Sequence, residues 1–188
     1  ENITITIPSF EYAMEIPKKY ASKLKCHIKL DTGMNRLGIK NGDELEYTYS
    51  ILKERGFYIE GIYTHIYHAS KKKRTKEQFR SFEELTKNIN LNEIPIVHVA
   101  QSETVTQYSK LPFVNGCRLG IAMYGYAFGM EKEIGLKSTF SLKSQIVQIK
   151  HLKKGELVGY NGIYKATKNE IIGIVCIGYA DGILRSNT

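Results

Sequence analysis

The first 118 residues carry two hydrophobic periods in turn. Ile3, Ile5 and Ile7 alternate with Thr4 and Thr6, the two-residue period of a half-buried strand, and Ser9 then offers a cap for a short helix that Pro17 stops or kinks. A second strand is predicted over 26–30. Leu45, Tyr49 and Leu52 recur at helical spacing before Gly56, a C-terminal glycine, and residues 57–63 read as the next strand. A basic run, Lys71, Lys72, Lys73, Arg74 and Lys76, interrupts the pattern and reads as a solvated loop. Thr75 and Gln78 then have the spacing of a capping box, and Phe79, Phe82, Leu85 and Ile89 give the following helix one apolar face. Residues 94–100 read as a strand, 103–110 as a short helix and 113–118 as a last strand before Gly120, Gly125 and Gly129.

Beyond Ser138 the pattern changes. Strand-like runs at 140–149, 157–160 and 171–177 are separated by Lys-Gly and Asn-Gly turn signals, with no helical period between them. The expected organisation is therefore an α/β portion over 1–135 and the beginning of an all-β domain over 136–188. Alternating strands and helices predict a parallel sheet. About five such strands are too few to close an eight-stranded barrel, and no G-x-G-x-x-G string marks a dinucleotide fold.

Composition narrows the class without naming a function. With 42% hydrophobic and 24% charged residues the chain is neither disordered nor collagen-like. Cys26, Cys117 and Cys176 are odd in number and lack C-x-x-C spacing, so neither a paired disulfide framework nor a zinc knuckle is encoded; a cytoplasmic location is expected. No apolar stretch reaches the roughly 18 residues needed to span a bilayer. Of the net charge of +8, the run at residues 71–76 supplies five, leaving +3 for the remainder, so a nucleic-acid partner is not expected from basicity alone. The chain opens at Glu1 and ends in Arg185, Ser186, Asn187 and Thr188 directly after an apolar run, the pattern expected of a segment of a longer protein.

Ligands of parallel α/β sheets gather at the C-terminal ends of strands. The predicted strand ends carry Lys29 to Arg36, then Thr64 and His65, then His98 to Ser102, then Arg118 to Ile121. Two arginines, a lysine, a histidine and a hydroxyl suit an anionic ligand bearing phosphate or carboxylate groups. Asp31 is the only acid standing out there, which speaks against a carboxylate pair or a hard-metal site; it also fits as a turn cap in Asp-Thr-Gly. His27, His68 and His151 read as ordinary packing or surface histidines.

Five of these strings, in order, resemble the alanine racemase family. Residues 29–38 resemble K-x-D-T-G-M-x-R-L-G, 61–65 G-x-x-T-H, 98–102 H-x-A-N-S, 118–125 R-x-G-I-x-x-Y-G, and 178–182 G-Y-A-D-G. The resemblance implies a partial TIM-like (β/α) barrel, about strands 4 to 8, followed by the start of a C-terminal β domain. It implies pyridoxal 5'-phosphate as cofactor, L- and D-alanine as substrates for D-alanine supply to peptidoglycan, two-base proton transfer at Cα, and a homodimer. The family's cofactor lysine lies in a string like Y-A-V-V-K-A-N-A-Y-G-H-G, which does not occur here, so this segment alone is not expected to racemise.

By the same resemblance, Tyr179 is the general base on the L-isomer, reaching into the partner subunit's site, so that a monomer holds no complete site. His65 hydrogen-bonds that tyrosine. Arg118 contacts the pyridine nitrogen, and Arg36 lies near the cofactor's phenolic oxygen and the substrate carboxylate. Ser102 with the backbone amides of Gly120 and Ile121 forms the phosphate cradle. Lys29 matches a lysine carbamylated in many members, with an ordinary salt bridge as the alternative. Gln101 replaces the family's usual Asn, and Ser70 stands where an Asp commonly follows. A serine racemase of the vancomycin-resistance type and a non-catalytic pyridoxal phosphate-binding module are the alternatives.

Overall fold

The computed structural model describes residues 3–108, 112–127, 131–132 and 134–184. They belong to two units, Glu1–Thr139 and Phe140–Thr188.

The first unit is built on a parallel sheet of β1 (Ile3–Ile7), β2 (Leu24–Lys29), β3 (Tyr58–Tyr63), β4 (Ile96–Gln101) and β5 (Gly116–Arg118), adjacent in chain order. Every crossover advances one strand in the same direction, the arrangement of an arc of a (β/α) barrel. Alternation sorts the side chains. On one face Ile7, Cys26, Ile28, Ile62, Val97 and Val99 join Leu45 and Leu52 of α2 (Gly42–Glu54) and Phe82 of α3 (Lys72–Leu85) in a single core. Each such side chain contributes roughly 1.5–3 kcal/mol on burial. The other face of β2 carries Lys25, His27 and Lys29, so the polar positions of a central strand are turned toward one shared side of the sheet.

Local signals set the helix ends. Ser9 accepts from the Tyr12 amide at 3.2 Å to start α1 (Phe10–Glu15), and Pro17 follows two residues after its end. Asn41 caps α2 by accepting from the Asp43 and Glu44 amides, with both acids in the positive first turn. The chain leaves α2 through Gly56 at φ +81°, conformationally open to glycine. α3 differs from expectation. It begins at Lys72 after an N-cap, Lys71, that makes no side-chain cap, so the basic run forms its first turn instead of a loop and Thr75 and Gln78 are no capping box. Both are buried within the helix: Thr75 Oγ1 donates to the carbonyls of His68 and Ala69, and Gln78 reaches toward the strand ends. A cationic first turn opposes the helix dipole, so packing through Phe82 holds this helix in place. Ile89 lies beyond the end of α3 yet stays in the core.

β4 runs directly into α4 (Ser102–Gln107), where Gln101 caps the helix by accepting from the Glu103 amide at 2.8 Å. The Gln101 side chain thus takes the capping role that a shorter Asn also fills. Lys110, at the predicted end of this helix, lies outside the described residues, as does Gly129. β5 is shorter than predicted: the Asn115 backbone amide still donates to the Val97 carbonyl at 3.1 Å, but its side chain takes the return bond, accepting from the Val97 amide at 2.8 Å, and donates to the Pro95 carbonyl just before β4.

The second unit is antiparallel. β6 (Ile146–Leu152) pairs with β9 (Glu170–Val175), and β7 (Leu157–Val158) with β8 (Tyr164–Lys165). β6 starts later than the predicted residue 140, since pairing with β9 begins at Ile146. β7 stops early because Gly159 and Asn161 adopt positive φ and turn the chain into β8, a strand the sequence pattern did not show.

Candidate active site

The segment after β2 folds back on its own strand. Asp31 N donates to the Ile39 carbonyl and Ile39 N to the Lys29 carbonyl, both within 2.9 Å, closing the loop that carries Arg36. Asp31 Oδ1 accepts from the Gly33 and Asn35 amides at 3.0 Å, so this buried acid is a turn cap. Those amide bonds, with Lys40 and Lys29, hold its carboxyl below the ordinary range against the upward push of burial. Gly38, at φ +122°, is required: a Cβ there would lie 2.6 Å from the Leu30 carbonyl carbon. The loop delivers Arg36 exposed, with no hydrogen bond or ion pair among the described residues. It also closes over Lys29, whose Nζ donates to the Leu37 carbonyl at 2.7 Å. Burial pushes the Lys29 amine below its ordinary value, and Arg36 and Arg118 add to that shift against Asp31.

His65 follows β3 and Arg118 ends β5. Arg118 Nε donates to His65 Nδ1 at 3.3 Å, and one of its terminal nitrogens lies 3.4 Å from His98 Nδ1 on β4. The guanidinium stacks over the Tyr63 ring at 4.2 Å, and Tyr63 in turn stacks on His98. Arg118, on β5, is therefore held by side chains of β3, of the segment just after it and of β4. Burial lowers the pKa of His65, with Arg118, Arg36 and Lys29 adding to the effect. His98 is pushed down to about 3 by burial, then by His27 and Arg118. Both imidazoles are thus neutral near pH 7 and accept from a permanent cation.

Ser102, buried at the start of α4, accepts from the Gly120 amide at 2.9 Å and the Ala122 amide at 3.3 Å. Two backbone N–H groups thereby converge on one oxygen, a geometry that also receives an anion oxygen. The second amide on Ser102 Oγ is that of Ala122, and the Ile121 amide between the two is not among its donors. An open hollow of about 590 Å³ is lined by His65, His98, Cys117, Arg118, Leu119, Gly120 and Met123. A second hollow, about 270 Å³ and mostly apolar, is lined by Phe79, Val99, Tyr108 and Val114 and contains none of the candidate residues. Among the described residues no group of three or more His, Cys, Asp or Glu is placed to hold a metal ion, and no helix is long and apolar enough to cross a membrane.

Tyr179 belongs to the second unit. It opens a single 3-10 turn, Tyr179–Asp181, between Gly178 and Gly182, and is 72% exposed. The turn is fixed by Asp181, whose carboxylate accepts from the Gly178 amide at 2.9 Å.

His65, Arg118, Ser102 and Gly120, the residues expected at strand ends, are brought to one side of the sheet. His27, Tyr63 and Gln78 join them from positions that the strand-end pattern does not mark. The signal for His27 was its position two residues from both Lys25 and Lys29 on one strand face; nothing in the sequence pattern distinguished Gln78 from a surface helix residue.

The alanine racemase N-terminal domain model matches residues 1–128 and the C-terminal domain model residues 139–188. The chain is 37% identical over 186 residues to alanine racemase of Borreliella burgdorferi strain ZS7, covering 94% of this chain and 50% of that protein. To alanine racemase of Streptococcus pyogenes serotype M2 it is 36% identical over 191 residues, covering 98% of this chain and 52% of that protein. The crystal structure of alanine racemase from E. faecalis superposes with a TM-score of 0.77 at 31% identity, covering 97% of this chain and 51% of that one. The Bacillus anthracis alanine racemase, with bound L-Ala-P, gives 0.69 at 30% identity, covering 95% and 49%. The chain spans about half the length of the curated relatives it matches. With family models covering both units in order and the paired-histidine arginine at the sheet's strand ends, this chain belongs to the alanine racemase family.

Proposed function

We propose that the chain supplies the phosphate cradle, the ring-nitrogen arginine and one of two proton-transfer residues of a pyridoxal phosphate-dependent enzyme that interconverts L- and D-alanine. The observation that carries this reading is Arg118 held between two neutral histidines, His65 and His98, with the amide pair of Gly120 and Ala122 close by in sequence.

The donor set fits the cofactor. The amides of Gly120 and Ile121, with the Ser102 hydroxyl and the neighbouring Ala122 amide, suit its phosphate. Arg118 spends Nε on His65 and one terminal nitrogen on His98, while its other terminal nitrogen makes no hydrogen bond among the described residues and is available to a ring nitrogen. When bound, pyridoxal phosphate supplies a conjugated ring that withdraws electrons from the amino acid and acidifies its Cα–H. Arg118 tunes this effect. A guanidinium keeps its own proton, so Arg118 would donate to the ring nitrogen without protonating it, limiting electron withdrawal and disfavouring side reactions. Arg36, unpaired on its loop, receives the substrate carboxylate.

Tyr179 holds or returns the proton on one face of Cα, acting in the site of a second copy of the chain, and His65 hydrogen-bonds it. A phenol is a weak base at neutral pH and needs cations such as Arg118 and Arg36 nearby. Lys29, buried and lowered in basicity, is the amine that would add carbon dioxide, releasing its proton to solvent, and the resulting carbamate would anchor Arg36. The product D-alanine serves peptidoglycan synthesis, and the reaction takes place in the cytoplasm.

The test uses the complete protein with pyridoxal phosphate and L-alanine in D2O. D-alanine formation with deuterium at Cα is expected. Cofactor binding with neither exchange nor D-alanine would leave a binding module and sink the proposal.

A further inference from the structure

Behind Arg118 a row of polar side chains crosses the buried polar face of the sheet. His98 Nδ1 faces the Arg118 guanidinium at 3.4 Å, and His98 Nε2 lies 2.9 Å from His27 Nδ1. His27 Nε2 lies 3.3 Å from Glu60 Oε2, at ion-pair distance but outside hydrogen-bond geometry, and no other described residue gives this buried nitrogen a hydrogen bond. Glu60 is fixed in turn by Lys25, which donates to Oε1 at 2.7 Å, and by Thr4, which donates to Oε2 at 2.8 Å. The row therefore has a carboxylate at one end, a guanidinium at the other and two imidazoles between.

The backbone is shaped to permit it. β2 and β3 slip out of register between Cys26 and His27, so that His27 pairs with Gly61 after Cys26 pairs with Ile59. The bulge lets Glu60 and Tyr63, an odd number of residues apart, both reach the His27 side of the sheet. A Cβ at Gly61 would come within 2.6 Å of the His27 ring. Only glycine leaves room for the imidazole there.

Donor and acceptor chemistry then fixes every proton. Arg118 can only donate, so His98 Nδ1 must be bare and His98 Nε2 must carry the proton. That proton points at His27 Nδ1, which must be bare, so His27 Nε2–H faces the Glu60 carboxylate. In water the two neutral imidazole tautomers are close in energy, so a buried row of this kind takes its direction from its charged ends.

We infer that Glu60 and His27 are positioning residues that set the tautomer of His98 and thereby hold Arg118 in its donating orientation toward the site. Without the carboxylate, the His27 proton has no acceptor at Nε2 and moves to Nδ1. His98 then accepts at Nε2 and protonates at Nδ1, where it meets Arg118 donor to donor; the conflict is relieved at Arg118, which lines the open hollow and can turn to water, and not at the buried His27 nitrogen, so the far end decides the direction of the row. Arg118 is released by a change on the far side of two rings. The functional consequence rests on the reading of Arg118 as the ring-nitrogen contact; the proton placement does not.

The experiment uses the complete protein labelled with 15N at histidine, whose ring nitrogen shifts distinguish bare from protonated positions without any turnover. In the wild-type protein both His27 and His98 are expected as Nε2–H tautomers; a proton on His98 Nδ1 overturns the inference before any variant is made. In Glu60→Ala the pattern of both rings is expected to invert, whereas Glu60→Gln keeps the wild-type pattern, its single amide oxygen facing His27 while the part-exposed Lys25 turns its ammonium to water. A structural role alone would leave the His98 tautomer unchanged in Glu60→Ala, and that result also overturns it. In the cofactor-loaded enzyme Glu60→Ala is expected to lower kcat about tenfold or more with Glu60→Gln within about threefold of wild type. The expected tautomers with no cofactor binding in the wild-type protein would support the proton row and count only against the proposed function.

Discussion

The side chain of Gln78 donates to the His65 carbonyl at 3.2 Å from inside α3, across the layer that separates helix from strand end. The same amide nitrogen donates to Thr32 Oγ1 at 3.0 Å, and its oxygen accepts from the Tyr67 amide at 3.1 Å. Thr32 meets Thr64 hydroxyl to hydroxyl at 2.8 Å, and Thr64 returns to the Leu30 carbonyl. One buried, fully used amide thus ties the loop that carries Arg36 to the strand end that carries His65.

Removing that amide leaves buried donors and acceptors unpaired on two loops. Gln78→Ala is expected to destabilise the complete protein by about 1–3 kcal/mol. Urea unfolding gives the value directly. A loss below about 0.5 kcal/mol would mean that water replaces the amide and that the clamp is not rigid.

Gly38 offers a separate test of the same loop. With φ at +122° and the Leu30 carbonyl carbon only 2.6 Å from where a side-chain carbon would sit, alanine has no relaxed place there. Gly38→Ala is expected to cost about 1–3 kcal/mol and to displace Arg36. In the complete enzyme that displacement raises the KM for alanine, which steady-state kinetics separates from kcat.

The charge of Arg118 should be legible in its neighbours. It lowers the pKa of both His65 and His98, on top of burial. Arg118→Ala is therefore expected to raise both, while burial alone keeps them below an exposed histidine. Proton-detected titration of the ring signals checks this, and unchanged values would place the guanidinium elsewhere in solution.

The same shift fixes the direction of acid sensitivity. His98 titrates at about 3 in the folded protein, against an unfolded value near 6.5. Between those values the unfolded chain binds the extra proton, so stability is complete above the unfolded value and falls as pH drops toward 3. The slope from this residue approaches ~1.4 kcal/mol per pH unit. Replacing His98 by a neutral isostere such as Gln should flatten the urea midpoint against pH over that window. An equally steep profile in the variant would assign the acid sensitivity to the carboxylates.

Much of this was readable from residue order, for physical reasons that can be named. Period-two and helical patterns located all five parallel strands, because burial on the helix side makes Ile5, Ile7, Ile28, Ile62 and Val97 apolar whatever they do for function. Strand ends marked Arg118 and Ser102 because short polar strings break that apolar pattern. The start of α3 was misread because Thr75 and Gln78 have cap chemistry at cap spacing, and only tertiary packing decides that both point inward. The His27 to Glu60 contact escaped because it depends on a bulge at Glu60, and a bulge changes which residues share a face without changing the sequence period.

Tyr179 gives the sharpest separation of chemistry from stability. Its ring is largely exposed within its own unit and its hydroxyl makes no hydrogen bond among the described residues, while the turn around it is held by Asp181 and Gly178. Tyr179→Phe removes one oxygen and no packing, so the unfolding free energy is expected to change by less than about 0.5 kcal/mol. If the phenol is the base on one face of Cα, turnover from L-alanine should fall by roughly 10²-fold or more, with pyridoxal phosphate affinity nearly unchanged. The decisive measurement is the Cα deuterium exchange rate started from each isomer separately. A larger loss from the L-isomer, in the step that removes its proton, identifies the phenol as that base. Equal and small losses in both directions, or a parallel loss of cofactor, would reduce Tyr179 to a structural residue and move the search for the base to other phenols of the second unit.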